Sequence, residues 1–252
     1  MNGIQITTLA QRPELADRLG DMKDPWLEFA RHDSLACLLY PWMQRELADY
    51  VLVATDGDAM VARGYSVPFA LHARGRGGVL PTRGWDQVLM WAFSDLRLGV
   101  APDTVSAIEI TVATDRQGEG LSALMLAAMR ENARARGFAE VVAPVRPSGK
   151  PAEPDTPIEE YAYRTREDGL PYDPWLRVHV RAGAVIDSVA PLSMTINGSL
   201  AEWRDWTGLP FDATGPVRVP GALAPVRCEL EQGYAVYVEP NVWVRHPLDR
   251  TA

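Results

Sequence analysis

A glycine loop between a strand pattern and a long helical pattern restricts the fold of this chain more than any other feature. Residues 104–114 alternate in the manner of a strand. The loop Gln117-Gly118-Glu119-Gly120 follows, and the helical pattern LSALMLAAMRENARAR then runs to Gly137, a residue type common at helix ends. The segment FAEVVAPV predicts another strand. The unit is therefore strand, glycine loop, helix, strand.

A loop of this kind makes an anion site. The first N–H groups of a helix lack partners within the helix, and the helix dipole adds a partial positive charge at the same point. Gly118 and Gly120 let the backbone approach a ligand closely, since no side chain intervenes. Phosphate is the expected ligand. The Walker pattern GxxxxGK[ST] is absent from the sequence, which argues against a nucleoside triphosphatase.

A dinucleotide-binding loop is a second interpretation of the same residues. Residues 118–123 match the pattern GxGxx[GA]. The match lies in the middle of the chain, after a predicted hairpin, and Glu140 falls at the start of the next strand, whereas a ribose-binding acid belongs near its end. The context therefore disfavours a dinucleotide site.

The rest of the chain predicts a mixture of helices and strands. Residues 13–48 have helical spacing, and a hairpin follows around the turn Asp56-Gly57-Asp58. Seven prolines between residues 144 and 174 indicate a long ordered loop or inserted flap. Further helices are expected at 85–96, 173–183 and 200–206, and further strands at 185–196 and 234–246.

Composition excludes several classes of protein. The 252 residues carry 33 acids and 25 bases, a net charge of −8, which argues against binding to nucleic acid or an anionic membrane. Cys37 and Cys228 show no metal-ligand spacing, so neither a disulfide framework nor a metal site is expected. The N-terminus has no signal-peptide pattern, and the apolar helical run 121–129 is too short to span a bilayer. A cytoplasmic protein is expected.

Residues 110–138, ITVATDRQGEGLSALMLAAMRENARARGF, resemble the acetyl-CoA-binding segment of the GNAT superfamily of N-acetyltransferases. The pattern of that family is [QR]xxGx[GA] at the start of a long helix, and Gln117, Gly120 and Ser122 take its three positions. Two departures stand out. Ser122 replaces the usual Gly or Ala, and Glu119 places an acid where a basic residue often supports the phosphates.

The resemblance implies a fold and a division of the chain. The fold is α/β (α+β), with a GNAT-like central mixed, mostly antiparallel sheet flanked by helices and an extended C-terminal region. The expected single domain, residues 1–252, has a helical N-terminal entry at 1–48, a core at 49–195 and a C-terminal extension at 196–252.

The resemblance also implies how the donor binds. The donor is acetyl-CoA or another acyl-CoA, with no metal, and the backbone of the fourth strand would stabilise the oxyanion and hold the pantetheine. The expected cofactor-binding residues are Ile110, Thr111, Val112, Gln117, Gly118, Glu119, Gly120, Leu121, Ser122 and Ala123.

Glu109 is the candidate general base. Strand alternation predicts two faces, with Val105, Ala107, Glu109 and Thr111 on one and Ile108, Ile110 and Val112 on the other. From its face Glu109 could remove the proton of an amine directly or through water, if burial raised its pKa from about 4.3 toward neutrality. The alternative is a solvated or ion-paired carboxylate.

His179 is the candidate general acid. Alignment of Gly183 with a glycine of the family pattern puts His179 where a tyrosine usually protonates the leaving thiolate. An ordinary histidine pKa near 6.5 would let both protonation states exist at neutral pH. The alternative is a partly buried helix histidine. Tyr161, Tyr163 and Tyr172 are alternative proton donors in the neighbouring loop.

Several other residues have both a functional and a structural interpretation. Arg146 and Lys150 could reach a phosphate, although solvated loop cations are more common. A covalent route through Cys37 with His32 is disfavoured because reactive cysteines need thiolate-stabilising surroundings. Trp203 and Trp206 lie one helical turn apart and could stack on an acceptor, but such a pair more often packs in the core. The same two interpretations apply to Trp85 and Trp91. The sequon Asn197-Gly198-Ser199 is better explained as a turn and helix cap.

The expected function is transfer of an acetyl or other acyl group from a pantetheine thioester, most simply acetyl-CoA, to an amine of a small molecule. Two alternatives stay open: transfer from an acyl carrier protein, and a non-catalytic acyl-CoA sensor. Neither nucleic acid nor a membrane is an expected partner. The residues leave the acceptor, the acyl chain and the oligomeric state open.

Overall fold

A computed structural model describes residues 3–248. Within that range the strands are β1 (Ile4–Thr8), β2 (Val51–Asp56), β3 (Ala59–Phe69), β4 (Thr104–Val112), β5 (Glu140–Val145), β6 (Val185–Ser199), β7 (Gly215–Val217), β8 (Val226–Glu229) and β9 (Tyr234–Pro247). The α-helices are α1 (Ser34–Glu46), α2 (Gly84–Leu98), α3 (Leu121–Ala135), α4 (Ile158–Tyr161), α5 (Pro174–Arg181) and α6 (Leu200–Thr207). Short 3₁₀ helices lie at Pro13–Arg18, Glu28–His32, Ala48–Tyr50, Thr114–Arg116 and Lys150–Ala152.

The strands form one nine-stranded sheet. Its order is β1-β2-β3-β4-β5-β9-β8-β7, and β6 pairs with β9. Among the described pairs only β4 with β5 is parallel. The expected mixed, mostly antiparallel sheet is therefore confirmed.

Helices cover both faces of the sheet, and each face has its own apolar core. One core joins α1, α2 and α6 to the sheet through side chains such as Trp42, Leu89 and Trp203. The other joins α3 and α5 to the opposite face, with Met125 and Leu176 buried at its centre. The amphipathic pattern of residues 121–136 is explained by this second core, which buries one side of α3.

The N-terminal entry differs from the expected all-helical segment. β1 occupies Ile4–Thr8 and pairs with β2 at the edge of the sheet. Its sequence IQITT is rich in β-branched residues, which favour a strand. Between residues 13 and 48 only α1 is an α-helix, and the remaining helical turns are 3₁₀.

The C-terminal third is part of the central sheet and not an extension of it. The expected boundary at residue 195 falls inside β6, which pairs with β9 along most of its length. β9 also pairs with β5 over residues 242–247 and with β8 over residues 234–236. Residues 237–241 of β9 therefore face a gap between those two neighbours.

The proline-rich segment 144–174 is ordered, as expected. The side chain of Asp173 accepts hydrogen bonds from the backbone N–H groups of Gly149, Trp175 and Leu176, so it anchors the loop and caps α5. The ammonium of Lys150 is buried and donates to three carbonyl oxygens, those of Glu153, Pro154 and Leu223. Lys150 is thus a structural residue and does not face a phosphate site.

The predicted helix cap at residue 199 is confirmed. Ser199 accepts a hydrogen bond from the backbone N–H of Glu202, whose carboxylate in turn accepts from the backbone N–H of Ser199. This reciprocal pair is a capping box at the start of α6.

Candidate active site

β4 and β5 separate after a short parallel pairing. Only Val105 with Val141 and Ser106 with Val142 form this ladder. Beyond Ser106 the two strands diverge, and the backbone of residues 107–112 faces open space. Unpaired strand N–H and C=O groups there are available to a ligand.

A β-bulge at Ile108 changes which side chains share a face of β4. Tyr65 pairs with Glu109 and Ser66 pairs with Ala107, so Ile108 is the extra residue. The Ile108 carbonyl accepts a hydrogen bond from Trp85 Nε1 at 3.2 Å.

The bulge makes the expected two faces of β4 wrong. Val105 and Ala107 pack with Ile110 and Val112 on the α3 face. Glu109 turns to the other face, where it meets the hydroxyl of Tyr40 from α1. An extra residue reverses the alternation that follows it.

A single cavity of about 660 Å³ lies in this opening. Three groups of residues line it. The strands contribute residues 107–112 and 143–146, and the loop and α3 contribute Arg116, Gln117, Gly118, Gly120, Leu121 and Ser122. The other lining residues are Pro25, Trp26, Trp85, Ser148, Trp175, His179, Met194, Glu239 and Asn241.

The glycine loop has the geometry of an anion site. Gly118 and Gly120 have φ of +83° and +78°, and a Cβ added at either would meet nothing within 4 Å. α3 begins directly after Gly120 without a side-chain cap, so the N–H groups of its first turn remain available. Backbone geometry of this kind is suited to binding an anion such as phosphate.

The loop residues named from the sequence divide into two sets. Gln117, Gly118, Gly120, Leu121 and Ser122 line the cavity, as do Ile110, Thr111 and Val112 of β4. Glu119 and Ala123 are exposed and are not among the lining residues.

Arg116 is a loop residue that sequence reasoning missed. Its Nε lies 2.9 and 3.0 Å from the two carboxylate oxygens of Glu119, and its Nη1 lies 3.2 Å from Asp56. Arg116 also lines the cavity. Glu119 therefore holds a cation at the glycine loop, and that cation offsets the negative charge of Glu119 itself. A basic residue directly before Gln117 was the signal available in the sequence.

Glu109 is buried and accepts hydrogen bonds from three neighbouring side chains. Its side chain is 2% exposed. It accepts hydrogen bonds from Tyr40 Oη at 2.6 Å, Arg63 Nε at 3.0 Å and Thr111 Oγ1 at 2.7 Å. A carboxylate offers about four acceptor positions, so about one remains for a substrate. The ion-paired alternative is thus the arrangement found in the structure.

The partners of Glu109 extend the network to residues 19–26. Arg63 also donates to Asp24 Oδ2 and to the Leu19 carbonyl, each at 2.9 Å, and Trp26 Nε1 donates to Thr111 Oγ1 at 3.0 Å. Burial, followed by the charge of Glu109, raises the pKa of Tyr40 well above its ordinary value, so the phenol stays a donor. A second cavity of about 560 Å³ lies beyond Arg63 and Tyr40.

His179 lines the cavity from α5, one turn after Trp175. Its Nδ1 lies 2.8 Å from Nε2 of His246 on β9. Burial lowers the pKa of His179 to about 4, so the imidazole is neutral at pH 7. Both protonation states were expected at that pH, and the difference arises because the sequence does not show how deeply this helix position is buried.

The alternative tyrosine donors lie away from the cavity. Tyr161 is buried in the flap and donates to Asp173 Oδ2 at 3.1 Å. Tyr163 and Tyr172 are exposed, and neither is among the lining residues.

The remaining sequence candidates also have structural roles. Cys37 Sγ donates to the Arg31 carbonyl, while His32 contacts Glu28 and stacks on Trp206, so they form no cysteine–histidine pair. Trp203 is buried in the core, and of the four tryptophans considered only Trp85 lines the cavity. Glu140 pairs with Arg245 at 2.9 Å, which argues further against a ribose-binding acid.

Glu239 and Asn241 form a polar wall that sequence reasoning missed. Glu239 is 5% exposed and accepts from Arg146 Nε at 3.0 Å, Tyr237 Oη at 2.8 Å and Asn241 Nδ2 at 3.3 Å. Both residues lie in the stretch of β9 that neither β5 nor β8 covers. An acid within an otherwise apolar strand pattern was the available signal. Arg146 belongs to this wall and not to the phosphate loop.

Residues 3–248 contain no group of three or more His, Cys, Asp and Glu side chains that could hold a metal ion. Over the same residues, none of the helices is both long and apolar enough for a membrane span.

Comparisons with known proteins support one family. No family model matches the chain. A curated relative, arginine N-acetyltransferase avaD of Aspergillus versicolor, is 31% identical over 280 residues, which cover 98% of this chain and 94% of the relative.

Two solved structures share the fold at 17% sequence identity. The loading GNATL domain of CurA from Lyngbya majuscula has a TM-score of 0.62, and the superposition covers 98% of this chain and 98% of that domain. The GphF GNAT-like decarboxylase in complex with isobutyryl-CoA has a TM-score of 0.54, with 98% of this chain and 99% of that chain covered. With the identity to the curated relative, these findings show that the chain belongs to the GNAT superfamily of N-acetyltransferases and is an N-acyltransferase.

Proposed function

We propose that this protein transfers an acetyl group from acetyl-CoA to the amine of a small molecule. One observation carries the proposal. The open glycine loop and the gap between β4 and β5 line the same cavity, so a donor bound by its phosphates at the loop would extend its pantetheine arm along free strand backbone.

The loop would hold the pyrophosphate of the donor. The amides around Gly118 and Gly120 and the first turn of α3 supply uncharged donors, and Arg116 supplies a positive charge. Peptide groups of residues 110–112 would bind the amide groups of pantetheine as an added strand would.

The reaction forms a C–N bond and breaks a C–S bond. The amine nitrogen attacks the thioester carbonyl carbon, and the tetrahedral intermediate then expels the sulfur with the electron pair of the C–S bond. The proton that the amine loses ends on the sulfur, so the products are an amide and free CoA thiol. Fixed N–H dipoles of the β4 backbone would stabilise the oxyanion.

The cavity wall carries acidic side chains that can accept hydrogen bonds from an amine. Glu109 and Glu239 are two buried carboxylates there, each held by one arginine. The relative named above is an arginine N-acetyltransferase, so arginine is the first amine to test. Glu109 would accept a hydrogen bond from the attacking amine at its remaining acceptor position.

A carrier-protein donor has less support from the structure. Such partners are acidic and need a basic rim. Arg116, the arginine of the glycine loop that lines the cavity, is paired with the acids Glu119 and Asp56.

The test combines donor binding with turnover. The purified protein is first titrated with CoA and acetyl-CoA, and a melting-temperature shift is expected; at a hundred times the dissociation constant the stabilisation is about 2.7 kcal/mol. Thiol release from acetyl-CoA is then followed with arginine, lysine and a simple diamine, with mass spectrometry of the product. The absence of a shift with both CoA and acetyl-CoA would overturn the proposal. Binding without turnover on any amine would favour the sensor alternative.

A matched pair of variants links binding to the loop. Gly118→Asp adds a negative charge in the cradle, and Gly99→Asp adds the same charge at another left-handed glycine with open space, φ +66°, at the end of α2. Both substitutions cause similar backbone strain. Only Gly118→Asp is expected to abolish the melting-temperature shift.

A further inference from the structure

Two buried histidines meet at one wall of the cavity. His179 comes from α5 and His246 from β9, and they are two of the four histidines in the chain. His246 is 0% exposed and lies on the same face of β9 as Val244 and Leu248, which pack against α3 and α5. Because Nδ1 of His179 is turned toward His246, Nε2 is the ring nitrogen left for the cavity.

Two neutral imidazoles in this contact have two arrangements of protons. In one, Nε2–H of His246 donates to Nδ1 of His179, which places the proton of His179 on Nε2. In the other, Nδ1–H of His179 donates to Nε2 of His246, which places the proton of His246 on its Nδ1. The first arrangement gives the cavity a donor, and the second gives it an acceptor.

The surroundings of His246 select the first arrangement. Nδ1 of His246 is buried with no hydrogen-bond partner among the described residues, so a proton there would be an unsatisfied buried donor. Arg130 also has a buried Nε–H, which finds no acceptor within residues 3–248, and its positive charge acts on His246. A lone pair on Nδ1 of His246 is favoured near that guanidinium, whereas an N–H is not.

We propose that His246 is a positioning residue that holds His179 in its Nε2–H tautomer, so that His179 presents a hydrogen-bond donor to the sulfur of the bound thioester. This inference rests on the proposed function for the presence of a thioester in the cavity. His179 stabilises the negative charge that grows on sulfur without giving up its own proton. The proton that sulfur finally takes is the one lost by the amine.

The neutrality of the pair agrees with this role. Burial lowers the pKa of His179 to about 4 and that of His246 to about 3. An imidazolium acid is therefore scarce at pH 7, while an uncharged N–H donor is always present.

The test reads the tautomer directly. Protein labelled with ¹⁵N-histidine is studied by two-bond ¹H–¹⁵N correlation NMR, which distinguishes a protonated ring nitrogen from a bare one. We expect His179 to carry its proton on Nε2 in the free protein, and we expect CoA to perturb that N–H. A His179 protonated on Nδ1 in the free protein would overturn the inference whatever the activity. A correct tautomer with neither CoA response nor turnover would instead count against the proposed function.

Variants of His246 separate positioning from packing. His246→Gln retains an amide donor near the place of Nε2, whereas His246→Leu removes it. We expect His246→Leu to lower kcat roughly 10- to 100-fold with little change in KM for acetyl-CoA, because a misoriented donor acts on the transition state. His246→Gln is expected to recover most of that loss. Equal losses of kcat in both variants would contradict the proposed role. If His246→Leu does not fold, the tautomer of His179 in the unaltered protein tests the proposal on its own.

Discussion

Arg63 Nε lies 3.0 Å from Glu109 Oε1, and the two side chains are 13% and 2% exposed. The same guanidinium reaches Asp24 Oδ2, while Asp24 Oδ1 pairs with Arg31, so two arginines and two carboxylates form one network. This pairing joins β3, β4 and the loop before α1 at the wall of the cavity. This network fixes the Glu109 side chain at the cavity wall, where the proposed function requires it.

Arg63→Met is expected to destabilise the fold by about 3–5 kcal/mol, because it leaves the buried carboxylate of Glu109 without its cation. Urea unfolding measures the loss. Arg134→Met, which removes an exposed partner of Glu131, is the control and should cost less than about 1 kcal/mol. The double variant Arg63→Met/Glu109→Gln should recover part of the stability, and the pairing would be unimportant if it recovered none.

Glu109→Gln should lower turnover while donor binding is retained. The amide keeps the size of the side chain and can still accept hydrogen bonds, but it can no longer take a proton or balance a cationic amine. We expect kcat to fall about 100-fold, a typical value for loss of a group that assists proton transfer. Glu140→Gln is the control, since Glu140 pairs with Arg245 outside the cavity. Equal turnover of Glu109→Gln and the unaltered protein would remove Glu109 from the mechanism.

The glycine loop could be predicted from the sequence because its signals are local. Alternation, two glycines and a helical period lie within residues 104–137, and no distant contact is needed to interpret them. The bulge at Ile108 could not be predicted in this way, because it depends on the pairing of β4 with β3. For that reason the sequence predicts the strand that carries Glu109 but not the face of the sheet on which the Glu109 side chain lies.

The partners of the candidate site residues come from distant parts of the chain. Tyr40 and Arg63 are 69 and 46 residues from Glu109, and His246 is 67 residues from His179. A single sequence carries no record of which strands pair, so these contacts were not accessible. The placement of β9 beside β5 likewise depends on long-range pairing, which is why the C-terminal third was expected to lie outside the core.

The two buried histidines should make stability fall as the pH is lowered. Unfolded histidines bind protons below about pH 6.5, whereas the folded pKa values are about 4 for His179 and about 3 for His246. Between these values the unfolded chain holds more protons, so each histidine adds a slope of up to about 1.4 kcal/mol per pH unit. Urea unfolding from pH 7.5 to 4.5 measures the slope.

Variants of a buried histidine and of the exposed histidines test whether the buried pair causes this loss of stability. His179→Asn should flatten the loss of stability between pH 6.5 and 4.5, because one buried imidazole no longer has to stay neutral. The double variant His32→Asn/His72→Asn changes two exposed histidines and is the control. The same slope in all three proteins would show that other groups cause it.

Lys150→Met should loosen the proline-rich flap. The substitution keeps the length of the side chain but leaves three carbonyl oxygens without their shared donor. We expect a loss of about 1–3 kcal/mol and faster proteolysis within residues 150–170. Lys23→Met, at an exposed lysine, is the control. Unchanged cleavage of the flap would show that its prolines and the Asp173 contacts suffice to hold it.

Asp86→Asn should stabilise the protein more at high pH than at low pH. Burial, followed by the charge of Asp33, raises the pKa of Asp86 to about 7, and one of its carboxylate oxygens has no hydrogen-bond partner among the described residues. The folded state keeps an extra proton between about pH 4 and 7, so stability falls as the pH rises through that window and levels off above it. The difference between folded and unfolded pKa corresponds to at most about 4 kcal/mol.

Urea unfolding at pH 4.5 and pH 8 measures the effect of Asp86→Asn. The gain in stability should grow with pH, whereas Asp58→Asn, at an exposed aspartate, is the control. An equal gain at both pH values would mean that Asp86 is ionised throughout.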